Sequence, residues 1–206
     1  MTTPLASNSR VAFVGKTGSG KTYAARILAA RLPRLVVFDP KGTLFDNWNL
    51  EEWNDSTAKK LEKGKAIRIR IPAPLDNNWE PYFEACYYAG NCTVYIDELY
   101  GVIERANSGD YLRALYTRGR ELNIGVWAAT QRPSWVPLFA LSEADWIFLF
   151  RLQMETDRKR MSEIMGQSVR RQELKNHEVL VYHQSWERAR YFDRINSKEQ
   201  AKELVT

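Results

Sequence analysis

The sequence has only two cysteines in 206 residues, Cys86 and Cys92. That is too few for a disulfide framework or a four-ligand zinc site, and the two thiols are expected to be free packing residues in a reducing compartment. Histidine is as scarce. His177 and His183 show no ligand spacing with other side chains and receive no role. Long apolar runs are missing too. Stretches such as Trp146 to Phe150 have strand length and are far too short to span a bilayer, so no integral membrane segment is expected. No charged-then-apolar leader precedes residue 11. No repeat or low-complexity linker marks a domain boundary. The expectation is a flexible N-terminal arm over 1–9 and a single domain over 10–206.

Charge of one sign is in small excess, with 30 Lys and Arg against 25 Asp and Glu, a net +5. This permits a polyanionic partner without requiring one. Apolar residues at 44% and charged residues at 27% suffice for a buried core and exclude a fibrous or wholly disordered chain. The seven tryptophans are dispersed, which favours core or subunit-interface packing over a base-stacking platform.

Short apolar runs alternate with helical patterns. Strands are predicted at Val11–Val14, Leu35–Phe38, Ala66–Ile71, Thr93–Ile96, Gly125–Ala129 and Trp146–Phe150. Strict alternation at 66–71 places Ile67, Ile69 and Ile71 on one face and Arg68 and Arg70 on the other, which reads as a half-exposed strand. Helices are predicted over 21–32, within 43–65, and over 78–89, 111–122, 155–165 and 197–204. Residues 179–182 and 189–192 read as a terminal hairpin. The class is α/β, a mainly parallel central sheet flanked by helices with a C-terminal β-hairpin.

Gly15-Lys16-Thr17-Gly18-Ser19-Gly20-Lys21-Thr22 matches the phosphate-binding pattern G-x-x-x-x-G-K-[ST] at every fixed position, between a predicted strand and a predicted helix. The glycines let successive backbone N–H groups turn toward phosphate oxygens, and the helix N-terminus adds its positive end. Lys21 can reach the β- and γ-phosphates, and the Thr22 hydroxyl can ligate Mg²⁺. ATP and Mg²⁺ are therefore the expected cofactors.

Thr93-Val-Tyr-Ile-Asp97-Glu98 is an apolar strand ending in two carboxylates. Asp97 suits a magnesium site beside Thr22. Glu98 suits a base on the attacking water, and the second acid points to hydrolysis rather than transfer to another substrate. Gln131 ends the strand that begins near Ile124. If that strand neighbours the one carrying Asp97, the Gln131 amide can contact the γ-phosphate or the attacking water. Arg118 and Arg120 lie near a helix end, and either could project into the nucleotide site of another subunit as an arginine finger.

Together, Gly15–Thr22, Asp97-Glu98, Arg120 and Ala129-Thr-Gln-Arg-Pro133 resemble the FtsK/HerA superfamily of P-loop motor ATPases. Asp39-Pro40-Lys41-Gly42 fits the same pattern. The resemblance covers roughly residues 10–165. It implies a RecA-like fold and a homo-oligomeric ring, six subunits by analogy, that threads double-stranded DNA. It also implies a pore loop near Glu104 to Asp110, with Arg105, Asn107 and Ser108 as DNA contacts. Two further basic clusters are available, Lys59, Lys60, Lys63, Lys65, Arg68 and Arg70 in one, and Arg158, Lys159, Arg160, Arg170 and Arg171 in the other. Lacking the accessory domains of chromosome translocases and conjugation proteins, the chain most resembles the genome-packaging ATPases of tailless, membrane-containing viruses. That implies hydrolysis-driven packaging into a procapsid, a capsid or membrane-vertex partner, and a place in the host cytoplasm or on the virion. The alternative on the same fold is a motor for protein assembly or secretion, of the filamentous-phage morphogenesis type, which does not move DNA. A nucleotide kinase fits the length but not the Asp-Glu pair.

Overall fold

The computed structural model describes residues 5–44, 48–105, 109–171 and 173–195. In chain order the elements are β1 (Arg10–Val14), α1 (Lys21–Ala29), β2 (Arg34–Asp39), β3 (Glu51–Glu52), α2 (Asp55–Glu62), β4 (Ile67–Pro72), α3 (Glu80–Ala89), β5 (Thr93–Ile96), α4 (Leu99–Arg105) and α5 (Asp110–Arg118). After a 3₁₀ turn at Gly119–Leu122 come β6 (Gly125–Thr130), α6 (Leu138–Ser142), β7 (Trp146–Leu149), α7 (Glu155–Met165), a second 3₁₀ turn (Gln167–Arg171), β8 (Val179–His183) and β9 (Arg190–Phe192). The chain forms two compact units. One holds Leu5, 10–28 and 129–195, and the other holds 6–9 and 29–128.

In the first unit β1 pairs in parallel with β7, β7 pairs antiparallel with β8, and β8 pairs antiparallel with β9. Every residue of β1 and β7 is buried, as expected of unbroken apolar runs in strands covered on both faces. Register places Phe13 opposite Phe148, and their rings stack at 5.1 Å. The predicted terminal hairpin is β8–β9. Helix α7 occupies the predicted 155–165 and stops at Gly166, whose φ is +97°.

In the second unit the parallel order is β3-β4-β2-β5-β6. Phe38 of β2 stacks on Phe83 of α3 at 4.3 Å, with Trp79 at 5.8 Å. Helix α2 starts on a reciprocal cap, in which Asn54 accepts from the Ser56 and Thr57 amides and Thr57 Oγ1 accepts from the Asn54 amide.

The structure corrects several expectations. Strand β4 is not half-exposed, since burial runs across both of its faces, with Arg70 buried and Arg68 half-buried. Arg70 is 3% exposed and binds Asp39 Oδ2 at 2.8 Å and Glu52 Oε1 at 2.7 Å. Arg68 donates to the carbonyls of Ala29, Leu32 and Trp48. Alternation in sequence distinguishes two faces, but it does not reveal which one meets water. Helix α1 ends at Ala29 rather than near residue 32, and the predicted 111–122 helix tightens to a 3₁₀ turn at Gly119. Helices α4 and α6 were not anticipated, being too short for a clear period. The predicted 197–204 helix lies outside the described residues.

Of the N-terminal arm, 5–9 are described and are held in place. Leu5 is buried, and Thr93 Oγ1 donates to the Ser7 carbonyl at 2.7 Å. A side chain on Gly125 would run into that same Ser7 carbonyl, so this position accepts only glycine. Both cysteines are buried and unpaired by disulfide, as expected. Among the described residues no helix is long and apolar enough to cross a membrane.

Candidate active site

The first unit carries the glycine-rich loop between β1 and α1. Its entry is clamped from two sides. The Gly15 amide donates to the Thr130 carbonyl at 3.1 Å, and the Lys16 amide donates to the Arg151 carbonyl at 2.8 Å. A Cβ on Gly15 would lie 2.6 Å from Phe150 Cβ and 2.8 Å from Ser19 Oγ, so the loop can pack there only without a side chain. Ser19 is fully buried and closes the turn by donating its hydroxyl to the Lys16 carbonyl at 2.7 Å. Gly18 sits at the exposed tip with Thr17. Lys21 is buried and donates from Nζ to the Gly15 and Lys16 carbonyls, at 2.6 and 2.9 Å. Its ammonium is thus held inside the curl of the loop, where it can exchange carbonyl for phosphate oxygens. Thr22 follows in the first turn of α1.

Gln131 comes to this loop, as its Oε1 accepts a hydrogen bond from Thr17 Oγ1. The segment after β6 is fixed by Asp157 of α7, which is 1% exposed. Asp157 accepts from Arg132 Nε at 2.9 Å, and from the amide and hydroxyl of Ser134 at 3.1 and 2.6 Å. The Arg132 guanidinium also stacks 3.9 Å over Trp135. His177, given no role from sequence, lies against the loop as well. Its amide donates to the Ser19 carbonyl at 3.1 Å, and its Nδ1 is 3.2 Å from where a Gly20 Cβ would stand. Its φ of +75° is uncommon for a side chain of this size. Asp157 and His177 left no sequence signal, because neither has motif spacing to the residues it meets.

The second unit carries the acidic pair just beyond β5. Register pairs Ile96 with Ala128, so β5 and β6 are parallel neighbours, the condition set above for Gln131. Asp97 is 6% exposed; its amide donates to the Phe38 carbonyl at 3.0 Å, and its Oδ1 accepts from Tyr95 OH at 2.9 Å. Tyr95 is fully buried and stacks on Trp48 at 5.1 Å. This orienting hydroxyl was legible in principle, since residues i and i+2 of a strand share a face. Glu98 turns at φ +74° and pairs with Lys41 Nζ at 3.3 Å. Lys41 follows Asp39, which caps its turn by accepting the Thr43 and Leu44 amides.

Among the described residues no cluster of three or more His, Cys, Asp or Glu could hold a metal ion. Mg²⁺ is commonly bound by one or two protein oxygens together with substrate phosphates. Each unit carries a hard oxygen donor of that kind, the Thr22 hydroxyl in the first and the Asp97 carboxylate in the second.

Arg118 ends α5 and Arg120 lies in the 3₁₀ turn that follows; both are exposed on either side of the buried Gly119. Of the DNA-contact residues, Arg105 is the last residue of α4, while Asn107 and Ser108 lie outside the described residues. In the first basic cluster Arg70 is buried and Arg68 is half-buried, its guanidinium bonded to backbone carbonyls and its pKa lowered by burial. In the second, Arg158 donates to the Leu152 carbonyl and Arg170 pairs with Glu155.

Over 155 residues, spanning 73% of this chain and 67% of the relative, the sequence is 31% identical to the DNA packaging ATPase P9 of Enterobacteria phage PRD1. The chain belongs to the P9 family of DNA-packaging ATPases. The genome packaging NTPase B204 of Sulfolobus turreted icosahedral virus 2, solved with sulfate, matches with a TM-score of 0.77 at 16% identity, over 94% of this chain and all of that one. VirB4 of Thermoanaerobacter pseudethanolicus matches with a TM-score of 0.62 at 12% identity, over 95% and 91% of the two chains. Both likenesses are of fold. B204 has also been solved with AMPPCP and with ATP-gammaS. No family model matches the chain. The P9-family membership agrees with the α/β fold and with the expected resemblance to viral genome-packaging ATPases.

Proposed function

We propose that this chain is an ATPase that drives a double-stranded DNA genome into a viral procapsid. The observation that carries the reading is its identity with P9 across most of both chains, together with an intact phosphate-binding loop whose lysine is buried in the curl.

In the proposed reaction the backbone of 15–20 and the Lys21 ammonium hold the triphosphate. Thr22 and Asp97 would hold Mg²⁺, which when bound supplies charge neutralisation on the β- and γ-oxygens. Water attacks the γ-phosphorus, the bond to the β–γ bridging oxygen breaks, and the water proton passes to a Glu98 carboxylate oxygen, leaving ADP and phosphate. Gln131 senses the γ-phosphate or orients that water. Arg118 or Arg120 of a neighbouring copy offsets the charge that develops in transit, which makes a homo-oligomeric ring, a hexamer by analogy, part of the proposal. Arg105, Asn107 and Ser108 are the proposed DNA contacts. A capsid or membrane-vertex protein is the proposed docking partner, with the protein acting in the host cytoplasm and at the virion.

Steady-state ATP hydrolysis with and without long double-stranded DNA, at stated salt and across protein concentrations, tests this. Stimulation by DNA with cooperative dependence on protein concentration is the expected result. Turnover indifferent to DNA in assembled rings would point to a motor acting on proteins.

Tyr95 offers a finer test. Tyr95→Phe keeps the ring stacked on Trp48 but removes the hydroxyl that donates to Asp97. Residues that orient a metal ligand typically affect metal affinity or activity by about 10- to 100-fold. The expected outcome is a Mg²⁺ requirement shifted upward by about tenfold with unchanged thermal stability, read from a Mg²⁺ titration of hydrolysis. An unshifted titration would remove Tyr95 from the metal site.

A further inference from the structure

Gln131 stands between two anchored residues of the first unit. On one side the Thr130 carbonyl accepts the Gly15 amide at 3.1 Å, which ties the end of β6 to the phosphate-binding loop. On the other side Arg132 donates its amide to Thr130 Oγ1 at 3.2 Å and its Nε to Asp157 Oδ2 at 2.9 Å. Ser134 donates both its amide and its hydroxyl to Asp157 Oδ1. The Trp135 amide closes the turn on the Arg132 carbonyl at 2.9 Å. Both oxygens of one buried carboxylate therefore hold the segment that follows Gln131. Asp157 lies in the first turn of α7, where Met154 supplies no side-chain cap. An acid in a first turn commonly serves its own helix. This one bonds instead to residues 23 and 25 positions earlier in the chain. The positive end of α7 favours its charge.

We propose that Asp157 is a positioning residue for ATP hydrolysis, which sets Gln131 by fixing the backbone on its C-terminal side. The inference rests on the reading of Gln131 as the residue that meets the γ-phosphate or the attacking water, and deepens it. With Thr130 and Arg132 both held, the Gln131 backbone is fixed relative to the loop, and side-chain rotation is the movement left to it. Its Oε1 accepts from Thr17 Oγ1. A rotation exchanges that hydroxyl for the attacking water, from which Oε1 can accept, while Nε2 can donate to a phosphate oxygen. Such geometry tolerates little error, since a displacement of about 1 Å caused far from the chemistry can cost about 10²-fold in rate. A buried ion pair typically adds little net stability over apolar packing of similar volume. What the Asp157–Arg132 pair adds is a fixed place for the residue beside it. The carboxylate touches no nucleotide and controls the rate through the backbone.

The test is a double-mutant cycle on ATP turnover of the full chain, with the parent, Asp157→Asn, Gln131→Ala and the two combined. The asparagine can serve Ser134 or Arg132 but not both, because its amide nitrogen only donates. The expected result is a fall in kcat of about 10- to 100-fold in Asp157→Asn, with AMPPCP affinity within about twofold of the parent. No further fall is expected when Asp157→Asn is added to Gln131→Ala, since both changes disable the same group. A carboxylate that served stability alone would lower kcat by the same factor in both backgrounds. That result overturns the proposal, as does parental turnover in Asp157→Asn, and either leaves the reading of Gln131 standing. Parental turnover in Gln131→Ala overturns that reading and the proposal together. Should Asp157→Asn not fold, Ser134→Ala replaces it in the cycle, as it removes only the hydroxyl bond of 2.6 Å. A fall in kcat that disappears beside Gln131→Ala supports the proposal. No fall, or an equal fall in both backgrounds, overturns it.

Discussion

Glu98→Gln is expected to abolish ATP turnover while leaving nucleotide binding intact. The amide has the shape of the carboxylate, and its oxygen can still accept from Lys41 Nζ, which meets Glu98 at 3.3 Å. What it loses is the capacity to take a proton from water. A positioned general base contributes about 10²- to 10⁴-fold, so a fall in kcat near 10³-fold is expected, with AMPPCP affinity within about twofold of the parent. The backbone makes this readout specific. Glu98 sits at φ +74°, in a region that side chains of its kind rarely occupy, and such strain concentrates where geometry serves function. Turnover above about one tenth of the parent would remove Glu98 as the base.

Arg70→Met is expected to cost the most stability of any single change considered. Arg70 and Asp39 form an ion pair with side chains 4% and 0% exposed. Breaking a buried pair by removing one partner typically costs about 3–5 kcal/mol, because the remaining charge is left in a medium that solvates it poorly. Asp39 keeps the Thr43 and Leu44 amides, which places the expectation at the lower end of that range. For a chain of this length, each kcal/mol shifts Tm by about 2–4 °C, so a fall of roughly 6–12 °C is expected in a thermal melt. Arg70→Lys should recover only part of it, since an ammonium cannot reach Asp39 and Glu52 together as the guanidinium fork does. The consequence reaches the acidic pair. Asp39 caps the turn that presents Lys41, so loosening Asp39 loosens the cation held against Glu98. A melt unchanged within a degree or two would mean that Asp39 finds other compensation.

The two expectations draw on different kinds of legibility. Gly15–Thr22, the apolar strand ending in Asp97-Glu98 and the paired run ending at Gln131 were readable because their chemistry is local. A loop that curls around phosphates needs glycines and a lysine at fixed spacing, and strand ends expose adjacent carboxylates wherever the strand lies. The runs for β1, β2, β5, β6 and β7 and the period of α7 were readable for a similar reason, since unbroken apolar runs and a 3.6-residue repeat are properties of neighbours in sequence. Short elements such as β3, α4 and α6 carry too few residues to show any period.

By itself, then, the sequence determined the α/β class, the phosphate loop and the acid pair, all of which depend on spacing along the chain. Only the tertiary structure decided which side chains attend them. Arg70 read as a cation on the open face of a half-exposed strand and is the cation of a buried pair, because Asp39 of the neighbouring strand β2 meets it there. His177 had no pattern and lies on the loop, because a left-handed turn carries it there. Asp157 carried no motif spacing and holds the segment after Gln131. In each case the deciding contact joins residues distant in the chain, and burial, which sets the strength of every charge and hydrogen bond, is settled only when those distant segments pack.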